Sequence, residues 1–250
     1  MMKYMIIILA FFLPICYSHP IEKKPDFALI KDVQEKKYQF FSFMYVFVKQ
    51  ANENIITERK RILDIQKKIK NKQKLTTENK QFLKEMKNKY REKDKANINL
   101  EIHNLLIKVN TIPTNIALVQ AADESGWGTS YFALKGNNYF GQWCFQKGCG
   151  IVPKHRDDDK IHEVKYFHTT LDSVESYMLN LNRHTAYANF RENRNKLYLK
   201  KKDATHDYSI ELMSYLTAYS SRKQDYINEI TGIYNTNKIL LQSIQQEQEK

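Results

Sequence analysis

Apolar residues recur at helical spacing through the first third of the chain. The segment 38–48 is rich in Phe, Tyr and Met, and Ile and Leu continue the stripe among charged residues. A second apolar stripe follows over residues 79–91. Apolar positions three and four apart share one helix face, so the pattern predicts a helical hairpin over residues 28–92 that packs on the rest of the chain. The spacing keeps no strict heptad, which disfavours an isolated coiled coil.

Two more helices are predicted in the middle of the chain. One spans residues 97–109, and the next begins at Pro113, because a proline in the first helical turn loses no hydrogen bond. This second helix ends at Gly126 or Gly128, since glycine commonly follows the last helical residue. The carboxylate of Glu124 is therefore expected in the last turn.

β-Structure is predicted in one place only. Residues 151–152 and 161–168 have the character of short strands separated by a polar turn, which is typical of a hairpin. The four residues from Asp172 have the spacing of a capping box that opens a helix. Further helices are predicted over residues 208–219 and 225–233. The predicted fold is α+β and mainly α-helical, with one small β-hairpin and the N-terminal helical hairpin.

The N-terminus has the pattern of an export signal. Lys3 precedes the apolar run 5–12, and small residues precede a cleavage site after Ser18. The run is shorter than the roughly 20 residues that span a bilayer, so a cleaved leader is favoured over a membrane anchor. The predicted division of the chain is a signal peptide at 1–18, a helical extension at 19–96, a main domain at 97–240 and a flexible tail at 241–250.

The chain is basic, with a formal net charge of +12. Removing the leader removes Lys3 and no acid, which leaves 12 − 1 = +11. A basic exported protein is attracted to anionic polymers, among them cell-wall glycan strands with acidic stem peptides. The lysines of residues 58–94 lack interleaved aromatics and are typical of a solvated helix face. Neither a nucleic-acid partner nor a stable membrane span is predicted.

Two cysteines remain once the leader is removed. Cys144 and Cys149 are close in sequence, and in an oxidising compartment such a pair can close a small disulfide loop. Two reduced, buried thiols are the alternative. No second Cys or Cys/His pair lies nearby, so no metal site is predicted. His162 and His168 flank a glutamate, but their spacing on a predicted strand does not match a zinc-protease helix.

The segment around Glu124, AADESGWGTS, concentrates the candidate chemistry. A glycosidase needs a carboxylic acid that holds its proton near neutral pH, so the pKa of that acid must be raised. A helix C-terminus disfavours another negative charge, and rings such as Trp127, Tyr131 and Phe140 could desolvate the carboxylate. The loop 136–141 offers amides and rings to a sugar. The alternative is a salt-bridged helix end beside an ordinary turn.

ESGWG followed by GNNYFGQW resembles the signature of the glucosaminidases of glycoside hydrolase family 73. There, a Glu-Ser-Gly-Trp-Gly-type helix end precedes Asn-Asn-Leu-Phe-Gly. The blocks GQWCFQKGCGIVP, SYMLNLNRHTAYANFR and AYSSRKQDYINEI are similar to the Bax-type branch of that family, as is the helical N-terminal part. The resemblance implies a lysozyme-like glucosaminidase domain over residues 97–240. It also implies hydrolysis of the β-1,4 bond after N-acetylglucosamine in peptidoglycan.

The resemblance implies roles for single residues as well. Glu124 corresponds to the catalytic acid of the family. The glycan groove would be shaped by Trp127, Asn138, Phe140 and Tyr219. Tyr219 stands where the family has a Tyr-Ala-Thr-Asp-type block, although here the block is YSSR and its acid is absent.

A second carboxylate is expected on the hairpin, before its turn, and this chain departs from the family there. Residues 151–156 contain no acid. The remaining candidates are Glu163, on the return strand, and Asp157–Asp159, at the tip. Glu163 is favoured, because the three aspartates are more simply explained as a solvated turn. Such a carboxylate could act as a base toward water or orient the 2-acetamido group of the substrate.

Two other functions stay open. A lytic transglycosylase would use Glu124 alone, as acid and then as base, and would release anhydro-sugars. A non-catalytic wall-binding protein would keep the groove without needing the acid. The predicted location is outside the cytoplasm, periplasmic or secreted. No cofactor is implied, and the sequence does not identify a protein partner.

Overall fold

The computed structural model describes residues 24–154, 156, 160–199 and 207–249. Within these ranges the helices are α1 (Val33–Lys70), α2 (Thr77–Tyr90), α3 (Ile98–Lys108), α4 (Thr114–Ser125), α5 (Tyr131–Gly136), α6 (Thr170–Arg183), α7 (Ala188–Leu199), α8 (Ser209–Met213) and α9 (Gln224–Gln248). The strands are β1 (Trp143–Cys144), β2 (Gly150–Ile151) and β3 (Glu163–Lys165). The predicted fold class, mainly α-helical α+β, is confirmed. The predicted leader lies outside the described residues.

The long helix α1 is the element on which the other helices pack. Asp32 caps its start by accepting a 2.7 Å hydrogen bond from the Glu35 N–H, which satisfies one of the free donors of the first turn. Its apolar stripe, including Phe40, Phe41 and Met44, is buried and faces α3, α4, α6 and α9. The helix therefore belongs to the same hydrophobic core as the main domain.

The second arm of the N-terminal hairpin, α2, is joined to α1 by side chains. Glu58 on α1 accepts hydrogen bonds from Lys89 and from the Tyr90 hydroxyl, both at 2.6 Å. The guanidinium of Arg61 lies 4.1 Å from the centroid of the Phe82 ring. These contacts form the helical hairpin that the apolar stripes predict.

The sheet has three strands instead of the predicted two. Both outer strands pair antiparallel with β3, in the order β1-β3-β2. A two-residue strand such as β1 is too short to show alternation in the sequence, so it escaped prediction. Gly150 is required in β2, because a Cβ there would lie 2.0 Å from the Val164 carbonyl oxygen. A disulfide joins Cys144 of β1 to Cys149, the residue before β2.

The cap of helix α6 lies three residues before the predicted cap, Asp172. Thr169 is the cap and accepts from the Asp172 N–H, while the Asp172 side chain accepts from the Thr169 N–H. Asp172 thus takes the third helical position of the capping box and not the capping position itself. The short α5 and the twelve-residue α7 were not predicted. α7 carries the buried Arg194, whose donors satisfy carbonyls at the end of α3.

The C-terminal end of the described chain is helical, and the predicted flexible tail from residue 241 is wrong for residues 241–248. Leu241 and Ile244 are buried in the core. The Tyr38 hydroxyl of α1 donates to Glu247 at 3.0 Å, and Lys49 donates to the Gln248 carbonyl at 3.4 Å. Packing against α1 orders this segment despite its Gln/Glu-rich composition. Within the described residues, no helix combines the length and the apolar character needed to cross a membrane.

Candidate active site

Glu124 lies in the last turn of α4, where the residues that follow it stop the helix. Gly126 takes a left-handed conformation with φ 55°, and the Trp127 N–H donates to the Ala122 carbonyl at 2.8 Å. Ser125 is fully buried and its hydroxyl accepts from the Gly128 N–H at 2.8 Å. The sequence ESGWG is thus a helix stop built from glycine conformations and one buried hydroxyl. It fixes the position of the preceding carboxylate.

The pKa of the Glu124 carboxyl is raised to about 7. Burial is the largest cause, and the negative charge of the adjacent Asp123 adds to it. An interaction with the Tyr226 hydroxyl acts in the opposite direction and lowers this pKa. The sequence predicted desolvation correctly as a cause. Burial raises the pKa values of four tyrosines, and the Glu124 charge adds to each rise: Tyr177, Tyr187, Tyr219 and Tyr226.

A pair of acidic residues lies beside Glu124, and the spacing of the sequence does not indicate it. Asp123 interacts with Glu229 of α9, and burial together with this contact raises the pKa of Asp123 to about 6. Arg222 forms ion pairs with both carboxylates, at 3.4 Å to the Asp123 oxygen. Arg222 is the last residue of YSSR, where the Tyr-Ala-Thr-Asp-type block of the resembling family has an acid. It ties the α8–α9 connection to the helix end that carries Glu124.

Glu124 opens into a cleft of about 580 Å³. The lining residues are Glu124, Phe140, Gly141, Gln142, Trp143, Lys165, Ser176, Asn180, Arg183, Tyr187, Tyr219, Ser220 and Ser221. Gly141 has φ 60°, and a Cβ there would lie 3.0 Å from a Glu124 carboxylate oxygen. A side chain at this position would therefore press on the acid. Within the described part of the chain, Glu124 is the only carboxylate that lines this cleft.

Two of the four predicted groove residues line the cleft. Phe140 is buried, with its ring stacked on Tyr177 at a centroid distance of 4.0 Å. The Tyr219 hydroxyl donates to the Phe140 carbonyl at 2.9 Å, and its ring is parallel to that of Tyr226 at 5.5 Å. These contacts make Phe140 and Tyr219 parts of the wall, held in place by their neighbours.

The other two predicted groove residues lie elsewhere, which corrects the prediction. The Trp127 ring packs edge-on against Phe40 and Phe41 of α1, at 5.9 and 5.0 Å. Asn138 is buried, and its amide donates to the carbonyls of Gln142 and Lys165 at 2.8 and 2.9 Å. Trp127 therefore anchors the helix end to α1, and Asn138 holds the 136–141 loop against β3.

Glu163 is also misplaced by the sequence interpretation. It lies on β3 opposite Cys144, and its oxygens accept from the N–H groups of Gly148 and Gly150 at 2.9 and 2.8 Å. These backbone donors hold the pKa of Glu163 below its usual value. Glu163 is absent from the cleft lining and stabilises the disulfide loop. The alternative candidates, Asp157–Asp159, lie outside the described residues.

One cluster among the described residues has the spacing of a metal site. The two sulfurs of Cys144 and Cys149 lie within 4.8 Å of a Glu163 carboxylate oxygen. Both sulfurs belong to the disulfide, and both Glu163 oxygens accept backbone hydrogen bonds. These atoms are therefore committed to the loop and are poor metal ligands.

Several polar cleft residues escaped the sequence interpretation. Trp143 is 52% exposed and its ring lies 4.2 Å from that of His162, which leaves a free aromatic face in the cleft. The Asn180 amide and the Tyr187 hydroxyl form no hydrogen bond with the residues that the structure describes. Trp143 lies in the GQWC block, directly after the 136–141 loop, and this position was the one signal in the sequence. Asn180 and Tyr187 lie on elements whose orientation the sequence does not reveal.

Comparisons with known proteins agree with the resemblance seen in the motifs. The model of the Glucosaminidase family, described as mannosyl-glycoprotein endo-beta-N-acetylglucosaminidase, matches residues 101–239. Protein bax of Escherichia coli (strain K12) is 32% identical to this chain over 160 residues. That stretch covers 64% of this chain and 56% of the relative, so the chain spans little more than half of the relative's length. No solved structure matches the chain significantly. The family match includes every lining residue of the cleft.

Proposed function

This chain belongs to the glucosaminidase family, and from that premise we propose that it is an endo-β-N-acetylglucosaminidase acting on peptidoglycan. The bond cleaved is the β-1,4 bond after N-acetylglucosamine, and Glu124 is the general acid. One observation carries the proposal: a half-buried carboxyl with a pKa of about 7 faces an open, polar cleft of about 580 Å³. A carboxyl with an ordinary pKa would have lost its proton at neutral pH.

Glu124 supplies the proton for the leaving group. With a pKa of about 7, about half of the molecules hold this proton at pH 7, where a general acid is most effective. Burial of the carboxyl and the Asp123 charge maintain the raised pKa. This division of one neutral and one charged carboxyl side by side is a recurrent arrangement in glycosidases.

The remaining cleft residues suit a sugar polymer. The exposed face of Trp143 can stack on the apolar face of a sugar ring, as aromatic rings do with flat apolar surfaces. The free amide of Asn180 and the hydroxyl of Tyr187 can pair with hydroxyl or acetamido groups. Phe140 and Tyr219 supply a rigid wall that keeps these groups in place.

The cleft supports a mechanism with one protein carboxylate. Glu124 gives its proton to the glycosidic oxygen as the C1–O bond breaks, and the carbonyl oxygen of the substrate's own acetamido group bonds to C1. The Glu124 carboxylate then takes a proton from water, whose oxygen bonds to C1 and displaces the acetamido oxygen. Substrate assistance of this kind is an established exception to the use of two carboxylates. It needs no second acid among the described lining residues.

A lytic transglycosylase is the second candidate, and the same single carboxylate favours it. In that reaction the bond that breaks is the β-1,4 bond at C1 of the muramyl sugar, the C6 hydroxyl of the same sugar bonds to that C1 in place of water, and Glu124 takes the hydroxyl proton. The product carries a 1,6-anhydro ring and no reducing end. The two reactions therefore differ in their products and not in the role of the acid.

The test is digestion of purified peptidoglycan by the protein and by its Glu124→Gln variant. Products are reduced with borohydride and identified by mass spectrometry. We expect reduced N-acetylglucosamine ends from the protein and a loss of about 10²–10⁴-fold in rate for the variant, because general acid catalysis contributes that much. Anhydro-muramyl ends would mean a transglycosylase. Equal digestion by both proteins, or binding without any products, would contradict the proposed role of Glu124.

The location that we propose is outside the cytoplasm, in the periplasm or after release. The leader-like pattern of residues 1–18 and the net charge of +12 support a partner such as the anionic cell wall. Cell fractionation with N-terminal sequencing of the protein tests this. A processed N-terminus near residue 19 is expected, and an intact one in the cytoplasmic fraction would refute export.

A further inference from the structure

A second cavity of about 320 Å³ adjoins the cleft of Glu124. It lies between α1, the end of α2, β3 and α6, and three residues line both spaces: Lys165, Ser176 and Arg183. Ser176 and Arg183 are seven residues apart on α6, which corresponds to about 10 Å along the helix. The two spaces therefore form one groove that extends from the candidate acid along α6.

Most charged residues of the second cavity already have partners. Glu175 accepts from the Asn54 amide at 2.6 Å, and Asp172 accepts from the Thr169 N–H at 3.0 Å. Lys89 forms an ion pair with Glu58 at 2.6 Å. The anions that line this cavity are thus engaged in the fold.

The two cations that line both spaces, Lys165 and Arg183, differ from these residues in their contacts. Within the part of the chain that the structure describes, neither Lys165 nor Arg183 forms an ion pair with a carboxylate. Lys165 lies 4.8 Å from the centroid of the Phe167 ring, and Arg183 donates one hydrogen bond, at 3.3 Å, to the Lys89 carbonyl. Both are half-buried. Partly buried cations without counter-charges carry a desolvation cost that a bound anion would offset.

We propose that Lys165 and Arg183 form an anion subsite for the carboxylates that the muramyl substituents of peptidoglycan carry. This deepens the proposed function and rests on it, since the groove must hold a glycan strand. N-Acetylglucosamine itself is neutral and offers no opposite charge to a pair of cations. The muramyl sugar carries a lactyl group, which ends either in its own carboxylate or in an acidic peptide. An arginine fork and a lysine ammonium suit such carboxylates.

The subsite is tested by binding, so that its outcome does not depend on catalysis. All proteins carry Glu124→Gln, and the Kd is measured for three soluble probes. These are peptide-bearing uncrosslinked strands, strands stripped of peptides by an amidase, and the neutral N-acetylglucosamine hexamer. The variants compared are Lys165→Gln/Arg183→Gln and the matched control Lys74→Gln/Lys80→Gln, which removes the same charge from exposed positions.

We expect the subsite variant to raise the Kd for carboxylate-bearing strands by about 10-fold or more, because hydrogen bonds to charged groups contribute that much. The Kd for the neutral hexamer should not change, and the control should change neither. An effect confined to peptide-bearing strands identifies peptide carboxylates, and an equal effect on stripped strands identifies the lactyl carboxylate. Equal weakening for the hexamer, or no weakening for either charged probe, overturns the subsite.

Lys165→Gln alone guards against a folding defect, because the Lys165 side chain donates no hydrogen bond to the described residues. It should keep the melting temperature and still weaken binding of the charged probes. The digestion experiment is independent of these measurements. If no products form and the cation-dependent Kd persists, the enzyme proposal fails and the subsite stands. If products form and the Kd does not depend on the two cations, the enzyme proposal stands and the subsite fails.

Discussion

Two aromatic clusters flank the helix end that carries Glu124, and their chemistry differs. The Phe cluster consists of Phe27, Phe40, Phe41 and Trp127. The Tyr cluster consists of Tyr177, Tyr187, Tyr219 and Tyr226. The first packs the ESGWG turn against α1 mainly through apolar rings. The second surrounds the carboxylate with rings that end in hydroxyls.

The difference separates stability from chemistry. Gly128 packs so closely on the Phe cluster that a Cβ there would lie 2.4 Å from the Phe27 ring, so this side holds the turn rigidly. On the other side, Tyr177 donates to Gln120 and Gln120 donates to Tyr226, each at 2.6 Å, and the Tyr226 hydroxyl acts on Glu124. Changes in the Phe cluster should alter folding, and changes in the Tyr cluster should alter the pKa of the acid.

The largest effect is expected from Phe40→Ala in the Phe cluster. Phe40 is fully buried and contacts four other aromatic rings of the core, so its removal leaves a large cavity. The free energy of unfolding should fall by about 3–5 kcal/mol, measured by urea denaturation. The pH profile of glycan cleavage by the folded protein should stay unchanged. A loss of stability below about 1 kcal/mol, or a moved pH profile, would contradict the separation.

The next effect concerns the charge of Glu124 itself. Its pKa is about 7 in the folded protein and 4.5 by ordinary expectation, so the folded state binds the proton more tightly. Stability must then fall as the pH rises from about 4.5 to about 7, by up to about 3 kcal/mol. Glu124→Gln removes this dependence. The free energy of unfolding of the variant, relative to that of the parent, should therefore increase from pH 4 to pH 8, as measured by urea denaturation.

Glu163→Gln is the control of opposite sign. Backbone donors lower the pKa of Glu163, so its stabilisation is present above the ordinary pKa and is lost as the pH falls. Its variant should lose stability relative to the parent at pH 8 and not at low pH. Parallel pH dependence of the two variants would show that the environments of the two carboxyls are not opposed.

The sequence predicted the parts of this site that depend on local rules. Pro113 directly precedes α4, and Gly126, one of the two glycines predicted to end it, directly follows it. Glu124 was therefore placed in the last turn correctly. Trp127 was assigned to the cleft because it is adjacent to Glu124 in sequence. Its left-handed backbone, with φ 57°, turns the ring toward α1 instead. Adjacency does not reveal such a reversal.

Other parts depend on contacts between distant segments, which spacing does not encode. Asp123 acquires its role from Glu229, and Arg222 joins the two. Glu163 was favoured because the three aspartates at the tip are typical of a solvated turn, but pairing with β1 and β2 turns it to the amides of the disulfide loop. An antiparallel register decides which way a strand residue faces, and β1 was too short to predict.

Asp123→Asn should shift the pH dependence of catalysis, with a smaller effect on folding. The Asp123 charge raises the pKa of Glu124, so its removal lowers that pKa. A general acid loses activity as the pH rises through its pKa, and the alkaline limb of kcat/KM should shift to lower pH, with a several-fold loss at pH 8. Asp225→Asn, at an exposed position of α9, removes the same charge and should leave the limb in place. A shift toward higher pH for Asp123→Asn would exclude the proposed coupling.

The smallest effect is expected from Tyr226→Phe, which sharpens the comparison within the Tyr cluster. Gln120 loses its acceptor, at a cost of about 1 kcal/mol. The Tyr226 hydroxyl lowers the pKa of Glu124, so its removal raises that pKa and moves the alkaline limb of kcat/KM to higher pH. Tyr177→Phe is the matched control, because it removes the other hydroxyl on Gln120 at a similar cost and leaves Tyr226 in place. If both variants move the limb equally, the hydroxyls act through packing, and the Tyr cluster would resemble the Phe cluster in its role.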